Sequence, residues 1–567
     1  MPRRLFTALA LVFALALVPT LAIAVPPDYQ FTCQVDRDDI GSYLYLDFDV
    51  PGGTTRIDFT YNYTEIATGK SKAIFNPVID IGVFDPDGFR GWSGSNKKSF
   101  SVGKSKAATS DSYIPGALQT GTWQVELGIG YVPDDSALAY TVTVNFYDGD
   151  VGDAFEPEEY SPVVLNDAAG WYKGDLHCHS THSDGSQTMA VTMQYAHTQG
   201  LDFIALTDHN AISHMLYIPE FQDSYPDMLL INGVELTTYA GHYNIFGIRG
   251  YMPYQGTDIH YDINEVFDAV HSDGGYVSIN HPVAPGLRDT PREGFSYGIG
   301  WGIPDTDWGK VDFLEVINGS VNPSGINFYG NLLNINLWDD LQDMDYVLPA
   351  RGGSDDHRSG TGTGDTYAPI GVPTTVVYAD ELSEHAVMEA LKAGRAYVKM
   401  IGPDGPDLFI NATAGDAEAM MGETIRGDKI TITARVVGGN GYALRILQDG
   451  AKIDEYDKIP VDSDDFETSF TIDVGPETDT RYRAELYDGV MPIALTNSLY
   501  VRPPLPGDDD DDDDDDTGDD DAADDDIADD DAPDDDTTDD DASDDDGDDD
   551  ASDDDDDDDD DDSGCGC

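Results

Sequence analysis

The sequence predicts an α/β protein: a distorted, TIM-like barrel of about seven strands between two β-sandwich domains, followed by a disordered aspartate-rich tail. Three observations lead there. Between residues 171 and 402, strand-like runs alternate with helix-like runs, the order that builds parallel-stranded folds. On either side, short runs of alternating apolar and polar residues are separated by Gly, Pro, Asp and Asn, as in sandwiches. In the final segment, 503–567, the chain becomes repeated Asp triplets that have nothing to bury.

Residues 1–24 read as a signal peptide. MPRR is a basic leader, LFTALALVFALALVPTLA an apolar core, and Ala22-Ile23-Ala24 a cleavage signal of the A-x-A kind. This predicts export to a secreted or cell-surface location. No later stretch of sequence reaches the apolar length of a membrane span. Residues 25–150 carry alternating runs such as YLYLDFDV, TRIDFTYNY and AYTVTVNFY, which predict the N-terminal sandwich. That region has no cluster of His, Cys or Glu at ligand spacing and reads as a packing or recognition module. The acidic, Pro-containing stretch 151–170 reads as a linker.

The α/β pattern of 171–402 opens with YKGDLHCH, a strand whose end carries His177 and His179. Residues two apart on a strand point the same way, so these two imidazoles can grip one ion while Cys178 faces the opposite side. A helix-like run, SQTMAVTMQYAHTQG, leads to LDFIALT and then to Asp208 and His209. MLLINGVEL ends near Glu235, and GHYNIFGIRG starts with His242. DINEVFDAVHSDGG is a helix with Ile263, Val266, Phe267 and Val270 on one face and a Gly pair to stop it. YVSINHP ends in His281, VDFLEVING is a strand, and NLLNINLWDDLQDM is a helix. YVLPARGGSDDH then delivers Asp355 and His357. TTVVYAD and a helix capped by Ser383 and stopped by Gly394 close the unit. Residues 403–502 return to strands, as in an immunoglobulin-like domain, and 503–567 form the poly-Asp tail ending in GCGC.

Charge bounds the partners. The formal net charge is −81, and the tail's Asp residues, about 40 of them, carry roughly half of it. Nucleic acid is excluded as an expected partner, because phosphate backbones call for Lys and Arg. The tail reads as an extended, solubilising stalk. Weak Ca²⁺ binding by it is an expectation, without ordered single-ion sites. Cell-surface attachment through the terminal Cys565 and Cys567 is another. Cys178 reads as a small buried hydrophobe.

The polar residues at strand exits are His177, His179, Asp184, His209, Glu235, His242, His281, Asp355 and His357. Six of the twelve His residues fall in this set, and His214 follows its second cluster closely. Nine such residues are too many for one ion. Imidazoles with bridging carboxylates suit two or three divalent ions of Zn, Mn or Fe. Core packing does not explain the set, because buried unpaired His, Asp and Glu are costly. Grouped ions ionise water and clamp attacking and leaving oxygens, which is hydrolytic machinery. His177, His179, Glu235 and Asp355 are its expected centre.

DLHCHSTHSDG, TDHN, GVE followed by GH, NHP and GGSDDH resemble the motifs of the PHP (polymerase and histidinol phosphatase) superfamily. The HSDG and TDHN forms and the flanking β domains look most similar to its CehA/McbA-type secreted branch. The resemblance implies a distorted seven-stranded (β/α) barrel with up to three metal ions. It implies that His177 and His179 hold a first ion, with Asp355 close by. Glu235 would bridge to a second ion served by His242 and His281, and Asp184, His209 and His357 would serve a third. Some members carry His where this chain has Asp184.

Phosphoester hydrolysis by a metal-bridging hydroxide is the first expectation, since most of the superfamily cleaves phosphoesters and a phosphate needs cationic partners. Arg288, Arg351 and Arg358 are the candidate substrate residues, with Arg395 in support. Asp208 and Asp356 are candidates for orienting ligand histidines. Carbamate or aryl ester hydrolysis at the same site is the second expectation. A non-catalytic, surface-displayed binding protein with a structural metal site is the third.

Overall fold

A computed structural model describes residues 26–67, 76–134, 136–255, 262–283, 300–364 and 367–505. The expected signal peptide, Arg288 and nearly all of the poly-Asp tail lie outside the described residues.

The N-terminal region packs two four-stranded antiparallel sheets face to face. One sheet runs Tyr29–Val35, Ser136–Tyr147, Arg56–Ala67, Ser99–Gly103, and the other Tyr43–Val50, Gly121–Tyr131, Val78–Asp85, Gly88–Gly94. Alternation along the strands sends Phe59, Trp123, Val125, Val142 and Val144 into a shared core with no exposed surface. The Trp123 indole N–H donates to the Gln119 carbonyl at 2.8 Å, so this large ring is buried with its polar atom satisfied.

The α/β region contains β1 (Gly170–Asp175), α1 (Met189–Thr198), β2 (Phe203–Leu206), β3 (Leu229–Thr238), β4 (Gly241–Phe246), α2 (Ile263–Ser272), β5 (Tyr276–Ile279), β6 (Phe313–Asn318), α3 (Ile326–Asp343), β7 (Ala350–Gly353), β8 (Thr374–Ala379), α4 (Glu384–Lys392) and β9 (Ala396–Lys399). Its helices follow the sequence closely. Asp262 caps α2 by accepting from the Asn264 N–H, and Ile263, Val266, Phe267 and Val270 are buried. Ser383 caps α4 through the Ala386 N–H, and Gly394 takes the left-handed φ of +74° just beyond its end.

The strand order is β7-β6-β5-β4-β3-β2-β1-β8-β9. β1, β2 and β3 are parallel neighbours, as are β5, β6 and β7, whereas β4 runs antiparallel to both β3 and β5. These pairings do not draw the expected TIM-like barrel. Only Tyr239 and Ala240 separate β3 from β4, and a two-residue link permits a hairpin but no helical crossover. The sheet still curls back on itself at one end. Beyond β7, the Asp355 N–H donates to the His177 carbonyl at 2.8 Å and the His179 N–H to the Asp356 carbonyl at 3.0 Å. The carboxyl ends of β1 and β7 are therefore neighbours, and every strand exit between them faces one mouth.

The C-terminal β region is not set apart from this sheet. β9 pairs antiparallel with Met491–Thr496, which continues into Thr480–Asp488 and Ala443–Gln448. A separate four-stranded sheet (Ala417–Met420, Asp407–Ala414, Lys429–Val437, Asp465–Asp473) covers it, with Ile410, Ile432, Ala434 and Val436 in the core between. The Asn497 amide ties the junction by bonding the backbone of Ala350 and Ala396.

Candidate metal centre

All nine residues expected at strand exits converge on the mouth. Alternation past β1 points His177 and His179 inward, with ring centroids 5.2 Å apart, and leaves Cys178 buried on the other side as a free thiol. Glu235 sits inside β3 with no exposed surface. Its two oxygens face different histidines. Oε2 lies 3.2 Å from His177 Nε2, 3.4 Å from His179 Nε2 and 3.0 Å from His209 Nδ1. Oε1 lies 3.3 Å from His242 Nδ1 and 3.4 Å from His281 Nε2. Asp355 Oδ1 is 3.0 Å from His179 Nε2 and 3.4 Å from His177 Nε2. Asp184 Oδ1 is 3.1 Å from His357 Nε2 and 3.6 Å from His209 Nε2.

Three overlapping sets have ligating atoms within 4.8 Å of one another: His177, His179, Glu235 and Asp355; His209, Glu235 and His242; and His179, Asp184, His209 and His357. His209 belongs to two of them, one through each ring nitrogen, whereas the sequence placed it with Asp184 and His357 alone. His281 and Asp355 adopt left-handed φ values of +29° and +53°, a conformation costly for side chains of their kind. Backbone strain is thus held at the site itself.

The residues fit divalent ions on two grounds. His177 Nε2, His179 Nδ1, Glu235 Oε2 and His242 Nδ1 are buried without a well-formed hydrogen bond, an arrangement that costs free energy unless something else meets those atoms. The protonation states also suit ligation, which needs ionised carboxylates and imidazoles with free lone pairs. Burial works against charge on Glu235, but His177 and His209 outweigh it and hold its carboxyl well below the usual range. His177 and His179 do the same for Asp355. Burial, with His357 and His209 nearby, pushes His179 down to about 4, and burial pushes His242 down to about 4. His357 goes the other way: its bond to Asp184 overcomes burial and raises it to about 10.

The structure adds residues that the sequence did not single out. Glu315, in the middle of β6, accepts from His177 Nδ1 at 2.8 Å and from Arg351 Nη1 at 2.9 Å on one oxygen. Its other oxygen accepts from the His281 N–H at 3.0 Å and from the Asn318 amide at 3.1 Å. It fixes the ring that Glu235 faces, the usual task of a carboxylate behind a ligand histidine. Asn280 donates to Glu235 Oε1 at 2.8 Å. A charged residue inside the apolar run FLEVI was the available signal for Glu315, because a buried charge demands a partner.

The arginines divide. Arg351 is completely buried and bonds Glu315, Ser278 and Asn280, so it braces the site and cannot reach a substrate. Arg395 pairs with Glu423 at 3.4 Å in the C-terminal β region. Arg358 is exposed, carries no ion pair among the described residues, and lines a cavity of about 390 Å³ with Asp355, His357, Asn327 and Tyr367. The two second-line aspartates also act differently from expectation. Asp208 accepts from the Ser180 N–H and from the Ser180 and Ser183 hydroxyls, with His214 Nδ1 3.7 Å away. Asp356 accepts from the Arg358 and Ile370 N–H groups and the Tyr367 hydroxyl. Both shape the loops that carry ligands; neither bonds a ligand imidazole. His214 donates to the Gly233 carbonyl at 2.8 Å and stays outside the three sets.

No family model matches this sequence, and no curated protein does. Among solved structures, the chain is similar to a two-domain protein from Bacteroides vulgatus containing a predicted PHP-like metal-dependent phosphoesterase. The match has 18% identity and a TM-score of 0.31, covering 61% of this chain and 100% of the other. It is also similar to an amidohydrolase from Chromobacterium violaceum with bound sulfate and no metal, at 16% identity and a TM-score of 0.20, covering 34% of this chain and 93% of the other. Likenesses this low carry no weight for function, which has to come from the geometry of the site.

Proposed function

We propose that this chain is a metal-dependent hydrolase of the PHP type, acting on a phosphoester. One observation carries the reading: the buried carboxylate of Glu235 turns each of its oxygens to a different set of histidines, the arrangement of a bridge between two adjacent cations. His177, His179 and Asp355 would hold one ion with Glu235; His242, with His281 and His209 beside it, would hold the second. Asp184, His357 and the shared His209 offer a third position.

Divalent ions bound there supply Lewis acidity, which ionises water near neutral pH and offsets charge growing on a phosphoryl group. The chain supplies the rest. Glu315 fixes the His177 ring, and Asn280 fixes Glu235. Asp355 and His357 reach the solvent side of the site, with side chains 26% and 32% exposed, which supports an open catalytic site over a closed structural one. Arg358 supplies the positive charge at the rim that non-reacting phosphoryl oxygens require. Membership of the CehA/McbA-type branch and export by the leader are parts of the same proposal, supported by the motifs and the leader composition.

The test is a substrate panel on natively purified protein whose metal content has been measured. Aryl phosphates, cyclic phosphodiesters and aryl carbamates are compared, with His177→Ala and His179→Ala as controls. Dominant phosphoester turnover, lost in both variants with the fold intact, supports the proposal. Dominant carbamate or aryl ester turnover transfers the site to the second reading. No turnover in the parent, with unfolding as the sole effect of the substitutions, leaves a structural metal site.

A further inference from the structure

A second cavity, of about 430 Å³, lies where the carboxyl end of α3 meets the C-terminal β region. α3 is 18 residues long, so roughly 27 Å of helix separates this cavity from the Asn327 end beside the metal centre. The size is within the range of small-molecule sites, about 300–1,000 Å³. Its walls are Tyr346 and Tyr500, two arginines, and the carboxylates of Asp343, Asp345, Asp449 and Asp479.

The key side chain is Arg481. It is only 8% exposed, and it lines the cavity. One end of its guanidinium is committed: Nη2 donates to Asp343 Oδ1 at 2.6 Å and to the Asp339 carbonyl at 3.2 Å. Its Nε–H is buried without a partner. A buried donor left open costs about 1–3 kcal/mol, so a wall built this way calls for an acceptor from outside.

The chemistry of the walls narrows the visitor. A bare cation does not fit, because these four carboxylates do not converge; among the described residues, the sets with ligating atoms within 4.8 Å of one another are those of the metal centre. An anion does not fit either. Arg481 is already neutralised by Asp343 and Arg502 by Asp479, and two carboxylates remain over. What suits separated acceptors, one open donor and tyrosine rings is a neutral polyol. Its hydroxyls both donate to Asp345 and Asp449 and accept from Arg481, while its C–H face rests on an aromatic ring. We propose that this cavity is a carbohydrate-binding site, independent of the metal centre and placed to recognise a sugar.

The test titrates the full chain calorimetrically with cellobiose, maltose, lactose and chitobiose, and separately with calcium chloride and inorganic phosphate. The expected result is saturable binding of at least one disaccharide with Kd on the order of 1 mM or tighter. Tyr346→Ala should weaken it about tenfold or more, and so should Asp345→Asn, an exposed change that spares the fold. Hydrolytic turnover should be the same in both variants as in the parent. Silence from all four sugars overturns the proposal. So does sugar binding that neither substitution weakens, and so does calcium or phosphate binding that both substitutions abolish.

Discussion

Glu315→Gln is the sharpest probe of how the metal centre is held. In the folded chain the Glu315 carboxylate is surrounded by four donors: His177 Nδ1 and Arg351 on one oxygen, the His281 N–H and Asn318 on the other. Glutamine has the same shape but only one acceptor end. Whichever way its amide turns, its NH₂ must face two donors, and Arg351, with no exposed surface, loses its counter-charge. Breaking one side of a buried ion pair costs about 3–5 kcal/mol, and losing the acceptor behind a ligand histidine costs about 10–100-fold in metal affinity. Chemical denaturation of the metal-free protein reads the first quantity, and competition with a fluorescent zinc chelator reads the second. The double variant Glu315→Leu/Arg351→Met separates them. Well-packed apolar replacements should recover most of the stability but none of the affinity. If Glu315→Gln bound zinc within about twofold of the parent, the proposed role of Glu315 in orienting His177 would be wrong.

Three further outcomes follow from the coordinates. Asp80 is buried against the Tyr239 hydroxyl at 2.8 Å, and burial pushes its carboxyl up to about 6 from the usual 3.8. The folded protein thus keeps a proton between about pH 4 and 6 that the unfolded chain has lost, so this group's contribution to stability falls by about 2–3 kcal/mol as pH rises through that window. Urea titrations at pH 4.5 and pH 7 should show the fall in the parent and not in Asp80→Asn; identical pH dependence would refute it. In Gly353→Ala the added Cβ would lie 2.4 Å from Glu315 Oε1 and 2.5 Å from the His177 Cβ, so the ring and its acceptor must separate. A loss of about 1–3 kcal/mol together with weaker zinc binding is expected, and unchanged affinity would count against the tight fit. Finally, stripping ions with EDTA should lower the thermal midpoint, because an ion held at 100 times its Kd stabilises by about 2.7 kcal/mol. A midpoint indifferent to EDTA and to added zinc would argue against any resident ion.

How far the site could be read from the chain depended on the kind of signal. The pair His177 and His179 was legible because strand alternation is local, and the caps of α2 and α4 were legible because Asp262 and Ser383 bond amides two and three residues away. Glu315 and Arg351 were not. Their partners lie more than thirty residues off, on β1, β5 and one another's strands, and a lone Glu or Arg in a strand does not say which way it is turned. Arg351 was read as a substrate contact for this reason, although packing had enclosed it completely. The mixed strand directions escaped as well. Alternating strand and helix patterns suggested a parallel barrel, while a two-residue link after β3 forced a hairpin in its midst.

The sequence by itself determined the donor inventory, the strand-exit positions of those donors and the separation of β-rich, α/β and acidic stretches, because each follows from chemistry or periodicity within a few residues. Tertiary structure alone decided that His209 is shared between two sets, that Glu235 turns one oxygen to each, and which arginine meets solvent. Those facts depend on the curvature that brings the end of β7 back to β1, a consequence of packing across the whole sheet that no local stretch encodes.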